Sequence, residues 1–338
     1  MHTKITMAIS NLLKQCIFAA LVIFALGTGC SRKNVSVSSK ETSRNQFKII
    51  GYLPNRPDLL AAAAQVDFAK ITHLYIAFVN PDSLGNLMGT ANLKAMAELA
   101  HSRNVKIMAS IGGGGAPHYY PSFLTGEKKA KLINDLVNLA VNNNLDGIDV
   151  DLEGALIDAN YENFVVDLAA SLKQKNKQIT AAIATVYKDQ FTDKALAQFD
   201  FVNIMSYDRT GPWRPEKPGP HSPYEMAEED LDYWLSTRKI PKEKLTLGVP
   251  FYGYGFGGTA PESISFKNIL QQYPDSVMQD EMKINGGAVY YNGIPTIRKK
   301  TELALQKVSG VMIWQLLQDS TEKKSLLGEI DEVVKRKK

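Results

Sequence analysis

Cysteine is nearly absent from this sequence: 338 residues contain two, Cys16 and Cys30, both near its start. No CxxC pair and no Cys/His spacing suited to zinc occurs, which excludes a disulfide framework and a structural zinc site. Linkers rich in Pro or Gly/Ser are missing from the body, as is any repeat at a fixed 20 to 50 residue period, so a tandem-repeat architecture is excluded. No apolar run reaches the roughly 20 residues that a permanent membrane helix needs. Charge of one sign is scarce too. Lys and Arg number 39 against 35 Asp and Glu, a net +4, and much of the excess is local: Lys4 and Lys14 near the start, and Lys335, Arg336, Lys337 and Lys338 at the end. Setting those aside leaves a slightly acidic body without the concentrated basic face of a nucleic-acid binder, and nucleic acid is not expected as a partner. What remains, 44% hydrophobic and 22% charged, is the composition of an ordinary globular domain with ample core material.

The first 30 residues combine Lys4 and Lys14 with the apolar run 16–26 and then Gly27-Thr28-Gly29 before Cys30. A run this short between a basic start and small residues reads as a secretion signal. The small residues ahead of a cysteine resemble the lipobox of bacterial lipoproteins, although Gly27 stands where a large aliphatic residue is usual. The resemblance implies a signal over 1–29, acylation of Cys30, and export to a lipid-anchored position at the outer membrane. An ordinary cleaved signal with Cys30 unmodified is the alternative. Residues 30–46 are polar, rich in Ser, Lys and Asn, and read as a flexible tether.

From Phe47 onward, short apolar runs bounded by turn residues alternate with amphipathic stretches. The spacing predicts strands at 48–53, 73–79, 105–111, 147–152, 179–184, 201–205, 245–249 and 311–314, with helices such as 128–142 and 161–173 between them. Eight alternations predict a single α/β domain, 47–338, built as a closed (β/α)8 barrel, with an open doubly wound sheet as the alternative. The longest irregular stretch, 252–295, predicts a modest insertion between the seventh and eighth strands.

The segment Asp146-Gly147-Ile148-Asp149-Val150-Asp151-Leu152-Glu153 carries the chemistry. Alternation along a strand sends Asp149, Asp151 and Glu153 to one side and Ile148, Val150 and Leu152 to the other. A solvent-facing acidic strand is the bland explanation, but a strand of a parallel sheet is normally covered on both faces. Three carboxylates stacked inside a barrel disfavour joint ionisation, so at least one pKa rises, as a general acid at neutral pH requires. A divalent-cation site is the other possibility, but no further set of oxygen ligands accompanies the acids. No metal and no cofactor is expected.

This segment resembles the DGxDxDxE signature of family 18 glycoside hydrolases, the chitinase family, and fills every signature position. Ser110-Ile111-Gly112-Gly113 is similar to the family's SxGG motif, Met205-Ser206-Tyr207-Asp208 to its Met-x-Tyr-Asp segment, and Trp314 stands where the family has a tryptophan on the eighth strand. The resemblance implies that Glu153 is acid and then base, and that Asp151 orients the 2-acetamido group of the sugar. Asp149 would share charge or a proton with Asp151, and Tyr207 would hydrogen-bond the acetamido carbonyl. It implies no protein nucleophile, since this family is substrate-assisted. Substrate contacts are expected from Trp314, Ser110, Gly113, Asp208, Met205 and Trp213.

Other residues carry weaker readings. Trp314 suits a platform under an apolar sugar face. The run Gly112 to Gly115 lacks the GK[ST] ending of a phosphate loop and reads as a tight turn. Tyr119, Tyr120, Tyr254 and Phe256 are loop aromatics that serve either neighbouring sugars or the scaffold. His118 and His221 read as solvated loop histidines, and Trp234 as helix packing. The implied activity is hydrolysis of β-1,4 bonds between N-acetylglucosamine units in chitin or its oligosaccharides, by a monomer. An endo-β-N-acetylglucosaminidase acting on N-glycan cores and a silent glycan-binding lipoprotein are the alternatives.

Overall fold

The computed structural model describes residues 47–284 and 286–337; the expected signal over 1–29, Cys30 and the expected tether over 30–46 lie outside them. In chain order the strands are β1 (Lys48–Pro54), β2 (His73–Ala77), β3 (Lys106–Gly112), β4 (Gly147–Asp151), β5 (Gln178–Ile183), β6 (Phe201–Ile204), β7 (Leu245–Pro250), β8 (Tyr252–Phe256), β9 (Ser263–Ser265), β10 (Glu281–Ile284), β11 (Gly287–Tyr290) and β12 (Gly310–Trp314). Eight of them close into a barrel in the order β1-β12-β7-β6-β5-β4-β3-β2, and all neighbours are parallel.

Closure gives each strand two different environments. Outward residues such as Ile107, Ala109, Ile148, Val150, Leu247 and Val249 join the large core beneath the helices. Inward residues such as Ile50, Tyr52, Tyr75, Met108, Phe201 and Met312 fill the barrel. Each large aliphatic side chain buried this way contributes about 1.5–3 kcal/mol.

The helices α1 (Leu59–Ala63), α2 (Leu93–Ser102), α3 (Gly126–Asn142) and α4 (Tyr161–Lys173) lie in the first half. Helix α3 buries Leu132, Ile133, Leu136, Val137, Leu139 and Ala140, the three-and-four spacing of one helical face. The helices α2, α3 and α4 are each followed by an asparagine at positive φ, Asn104, Asn144 and Asn176. The next amide then bonds back into the last turn: Val105 to Ala100, Leu145 to Ala140 and Lys177 to Leu172. Asparagine tolerates this left-handed conformation better than most side chains, so the same device stops three helices and aims the chain into β3, β4 and β5.

The second half adds α5 (Asp193–Gln198), α6 (Tyr224–Asp232), α7 (Phe266–Gln272), α8 (Ile294–Lys307) and α9 (Leu326–Arg336). Between β7 and β12 the chain builds a four-stranded antiparallel sheet, β10-β11-β8-β9, with α7 beside it.

Candidate active site

Register places the acids. Asp149 on β4 lies level with Ser110 on β3 and Thr180 on β5, so all three share one layer of the barrel. Ser110 Oγ and Tyr52 OH each donate to Asp149 Oδ2 at 2.7 Å, and Thr180 Oγ1 donates to Oδ1 at 2.6 Å. Burial raises the Asp149 pKa, and the three hydroxyls oppose that rise by stabilising the carboxylate. Two further links extend the layer: Asn203 Nδ2 donates to Tyr52 OH at 3.3 Å, and Thr246 Oγ1 to Asn203 Oδ1 at 2.7 Å.

One layer higher, Asp151 is 3% exposed and its buried Oδ1 has no hydrogen-bond partner among the described residues. Burial, then the charges of Glu153 and Asp149, hold its pKa well above the carboxylate range. A buried carboxyl with an empty acceptor is costly until a donor reaches it. The backbone here is crowded. Gly113 N donates to Asp151 O at 2.6 Å, and Gly112, at φ +100°, faces that same oxygen so closely that a Cβ would lie 2.1 Å from it.

Glu153 follows β4 at the barrel mouth and is only partly covered. Burial first, and the charge of Asp208 second, push its pKa up to about 7. Tyr207 is buried with its hydroxyl 3.8 Å from Met312 Sδ, and burial together with Asp151, Asp208 and Glu153 raises its pKa strongly. Trp314 ends β12 with its ring stacked near Phe78 at 5.7 Å and edge-on to Tyr52 at 5.6 Å. A cavity of about 800 Å³ is lined by Glu153, Met205, Tyr207, Asp208 and Trp213 among others. Trp213 is 56% exposed and packs edge-on against Tyr254 at 5.2 Å.

Two expected substrate contacts lie elsewhere. Ser110 is fully buried under the acids and spends its hydroxyl on Asp149, so it serves the carboxylate instead of a sugar. Gly113, at φ +83°, turns the chain under Phe78, whose ring occupies the place of any side chain there, so it shapes the site from behind. Asp208 sits at φ +61° with its Oδ1 held by Tyr252 OH at 2.6 Å and His221 Nδ1 at 3.1 Å.

His221, expected in solvent, is instead fully buried, with Nε2 3.2 Å from Tyr252 O. Its loop folds under the insertion sheet, a contact that local sequence does not encode. Tyr120 is likewise core. Tyr52 and Thr180 went unnoticed in the sequence, although the period-two alternation through Ile50 and Ala182 marks both as inward-facing.

The sequence profile of the glycosyl hydrolases family 18 matches residues 37–319. Among solved structures, the GH18 chitinase ChiB from the chitin utilization locus of Flavobacterium johnsoniae superposes with a TM-score of 0.79 at 38% identity, covering 87% of this chain and 95% of that one. A chitinase from Bacteroides thetaiotaomicron gives 0.74 at 26%, covering 86% and 96%. A chitinase-like effector of the fungus Moniliophthora roreri is 27% identical over 228 residues, 57% of this chain and 55% of that protein. The chain spans about half the length of that relative and of a human one, chitinase-3-like protein 2, at 55% and 46%. With a closed parallel barrel, an acid ladder on its fourth strand and a matching profile over most of its length, the chain belongs to glycosyl hydrolases family 18.

Proposed function

We propose that this chain hydrolyses β-1,4 bonds between N-acetylglucosamine units of chitin or chitooligosaccharides, by a retaining, substrate-assisted route. One observation carries the reading: a half-covered Glu153 with a pKa of about 7 stands two residues beyond a buried Asp151 whose Oδ1 lacks a donor. In this reading the acetamido N–H of the bound sugar donates to Asp151, which turns the acetamido oxygen onto the anomeric carbon. Glu153 gives its proton to the glycosidic oxygen as that bond breaks, and an oxazolinium ion forms. Glu153, now a carboxylate, then takes a proton from the water that opens the ring, which restores the acid and retains the anomeric configuration.

Asp149, held by three hydroxyl donors, lies beneath Asp151 and favours the arriving donor. Tyr207 bonds the acetamido carbonyl, and Trp314 lies under the sugar face. The two bacterial structures at 38% and 26% identity are described as chitinases, which supports the substrate class.

Incubation with defined N-acetylglucosamine oligomers, reading products and their fresh anomer by NMR, tests this. The β anomer is expected first. Initial release of the α anomer, or cleavage of an N-glycan glycopeptide alone, would overturn it. We also propose export and lipid anchoring through Cys30. Cys30→Ala is expected to leave the protein in the soluble fraction, and unchanged membrane association would count against the anchor.

A further inference from the structure

All eight barrel strands run the same way, so the segments that lead into them meet at one end, opposite the mouth that holds Glu153. The near-neutral charge of the whole body hides what collects there. Before β3 or at its start stand Arg103 and Lys106, before β5 Lys173 and Lys175, and before β7 Lys239 and Lys242, all of them exposed. None of the six belongs to an ion pair among the described residues. The acids stand before the strands between, and they are engaged. Asp67, before β2, pairs with Lys70 at 3.1 Å and accepts from Ala69 N at 3.1 Å. Asp146, before β4, accepts from Ile107 N at 2.8 Å and meets His101 Nε2 at 2.9 Å. Asp200, before β6, accepts from Ile179 N at 2.9 Å. Tied acids and free cations therefore alternate around this end, and Glu243 is the one other acid in these segments.

Helix dipoles explain part of the pattern. A helix carboxyl end carries about half a negative charge, which favours a cation within its last turn. That covers Arg103 and Lys173, at the ends of α2 and α4. It does not reach Lys106, Lys175, Lys239 and Lys242, which lie beyond any last turn. Chain connectivity points to what these cations face. Phe47 leads into β1 at this same end, and 16 residues separate it from Cys30, a length that spans at most about 55 Å when fully extended.

We propose that this end of the barrel is a docking surface for the anionic phospholipid headgroups of the bilayer in which Cys30 is anchored, and that it turns the barrel mouth away from that bilayer. The proposal rests on the anchoring reading above and is independent of the hydrolytic one. Exposed cations act on such a surface within about 8 Å at physiological ionic strength, and each adds to the attraction. With the mouth outward, a long glycan reaches Glu153 without crossing the membrane surface.

Vesicle co-sedimentation tests this with the full chain carrying Cys30→Ala, which cannot be acylated. Vesicles of phosphatidylcholine alone are compared with vesicles of equal parts phosphatidylcholine and phosphatidylglycerol, so any contribution of the apolar run 16–26 is common to both. Binding is expected to favour the anionic vesicles, and salt at about 1 M, where charges are screened within about 3 Å, should abolish the preference. Adding Arg103→Glu, Lys173→Glu, Lys175→Glu and Lys242→Glu should lower partition onto anionic vesicles at least about tenfold. The same four-charge reversal at the opposite end, Lys94→Glu, Lys267→Glu, Lys323→Glu and Lys324→Glu, should change it less than about twofold. No preference for anionic vesicles, equal losses in the two variants, or a preference for duplex DNA over the vesicles would each overturn the assignment. The salt arm decides the matter without any substitution on the face. Failure of the anchor reads differently: cell membranes washed at about 1 M salt would then release the wild-type chain.

Discussion

Tyr52 OH donates a 2.7 Å hydrogen bond to Asp149 Oδ2 from a position 97 residues earlier in the chain. That contact joins β1 to β4 across the barrel interior, and through Asn203 and Thr246 it continues to β6 and β7. Its consequence is asymmetric. Asp149 receives three hydroxyl donors, whereas Asp151 above it has none at Oδ1, so a proton shared by the two acids rests more readily on Asp151 until an N–H arrives.

Tyr52→Phe removes one of the three donors without emptying the space. Loss of a hydrogen bond to a buried carboxylate costs about 1–3 kcal/mol. The expected outcome is a kcat lowered about tenfold, a smaller change in KM and a displaced pH profile. Steady-state kinetics across pH check it; an unshifted profile with normal kcat would show that the donor does not tune the acids.

The rate should depend on the proton of Glu153. Its folded-state pKa is about 7, raised by burial and then by Asp208, so the acid form that donates is lost as pH rises through that value. From about pH 7 upward kcat/KM is expected to fall about tenfold per pH unit. The same shift acts on stability with a defined sign. A carboxyl whose pKa is raised by folding stabilises fully below its unfolded pKa, and that contribution fades as pH rises toward about 7. A profile flat from pH 6 to 9 would place the acid elsewhere.

Glu153→Gln keeps the size of the side chain and removes the proton that is transferred. Turnover should fall by about 10² to 10⁴-fold, the range for loss of a general acid. Binding of an N-acetylglucosamine oligomer, measured by calorimetry, should stay within a fewfold of wild type. Retained turnover would remove Glu153 from the chemistry.

Lys300 on α8 gives a prediction about stability. It is fully buried and its Nζ donates to Ser222 O at 2.7 Å, Ser222 Oγ at 2.6 Å and Asn292 Oδ1 at 2.9 Å, with no bonded carboxylate. Burial lowers its pKa to about 7. The unfolded chain therefore binds the extra proton between about pH 7 and the ordinary lysine value, and the wild-type fold gains stability as pH rises through that window. Lys300→Met should melt earlier than wild type, by a margin that widens from pH 7 to pH 9. A margin independent of pH would mean that the amine stays charged inside the fold.

Much of this protein is legible from local pattern alone. Alternation with period two assigned Asp149, Asp151 and Glu153 to one face and Ile148, Val150 and Leu152 to the other, and the structure has Asp149 and Asp151 inside the barrel with all three aliphatics under the helices. The succession of strands and amphipathic segments likewise implied the closed barrel that is observed. Tertiary structure alone decided which partners those acids meet. Ser110 turned out to serve Asp149, and His221 to lie buried against Asp208. The physical reason is range. Side-chain direction follows from the backbone geometry of a few consecutive residues, whereas desolvation and hydrogen-bond partners depend on every segment that closes over a site. In a barrel those segments come from strands as far apart in the chain as Tyr52 and Asp149.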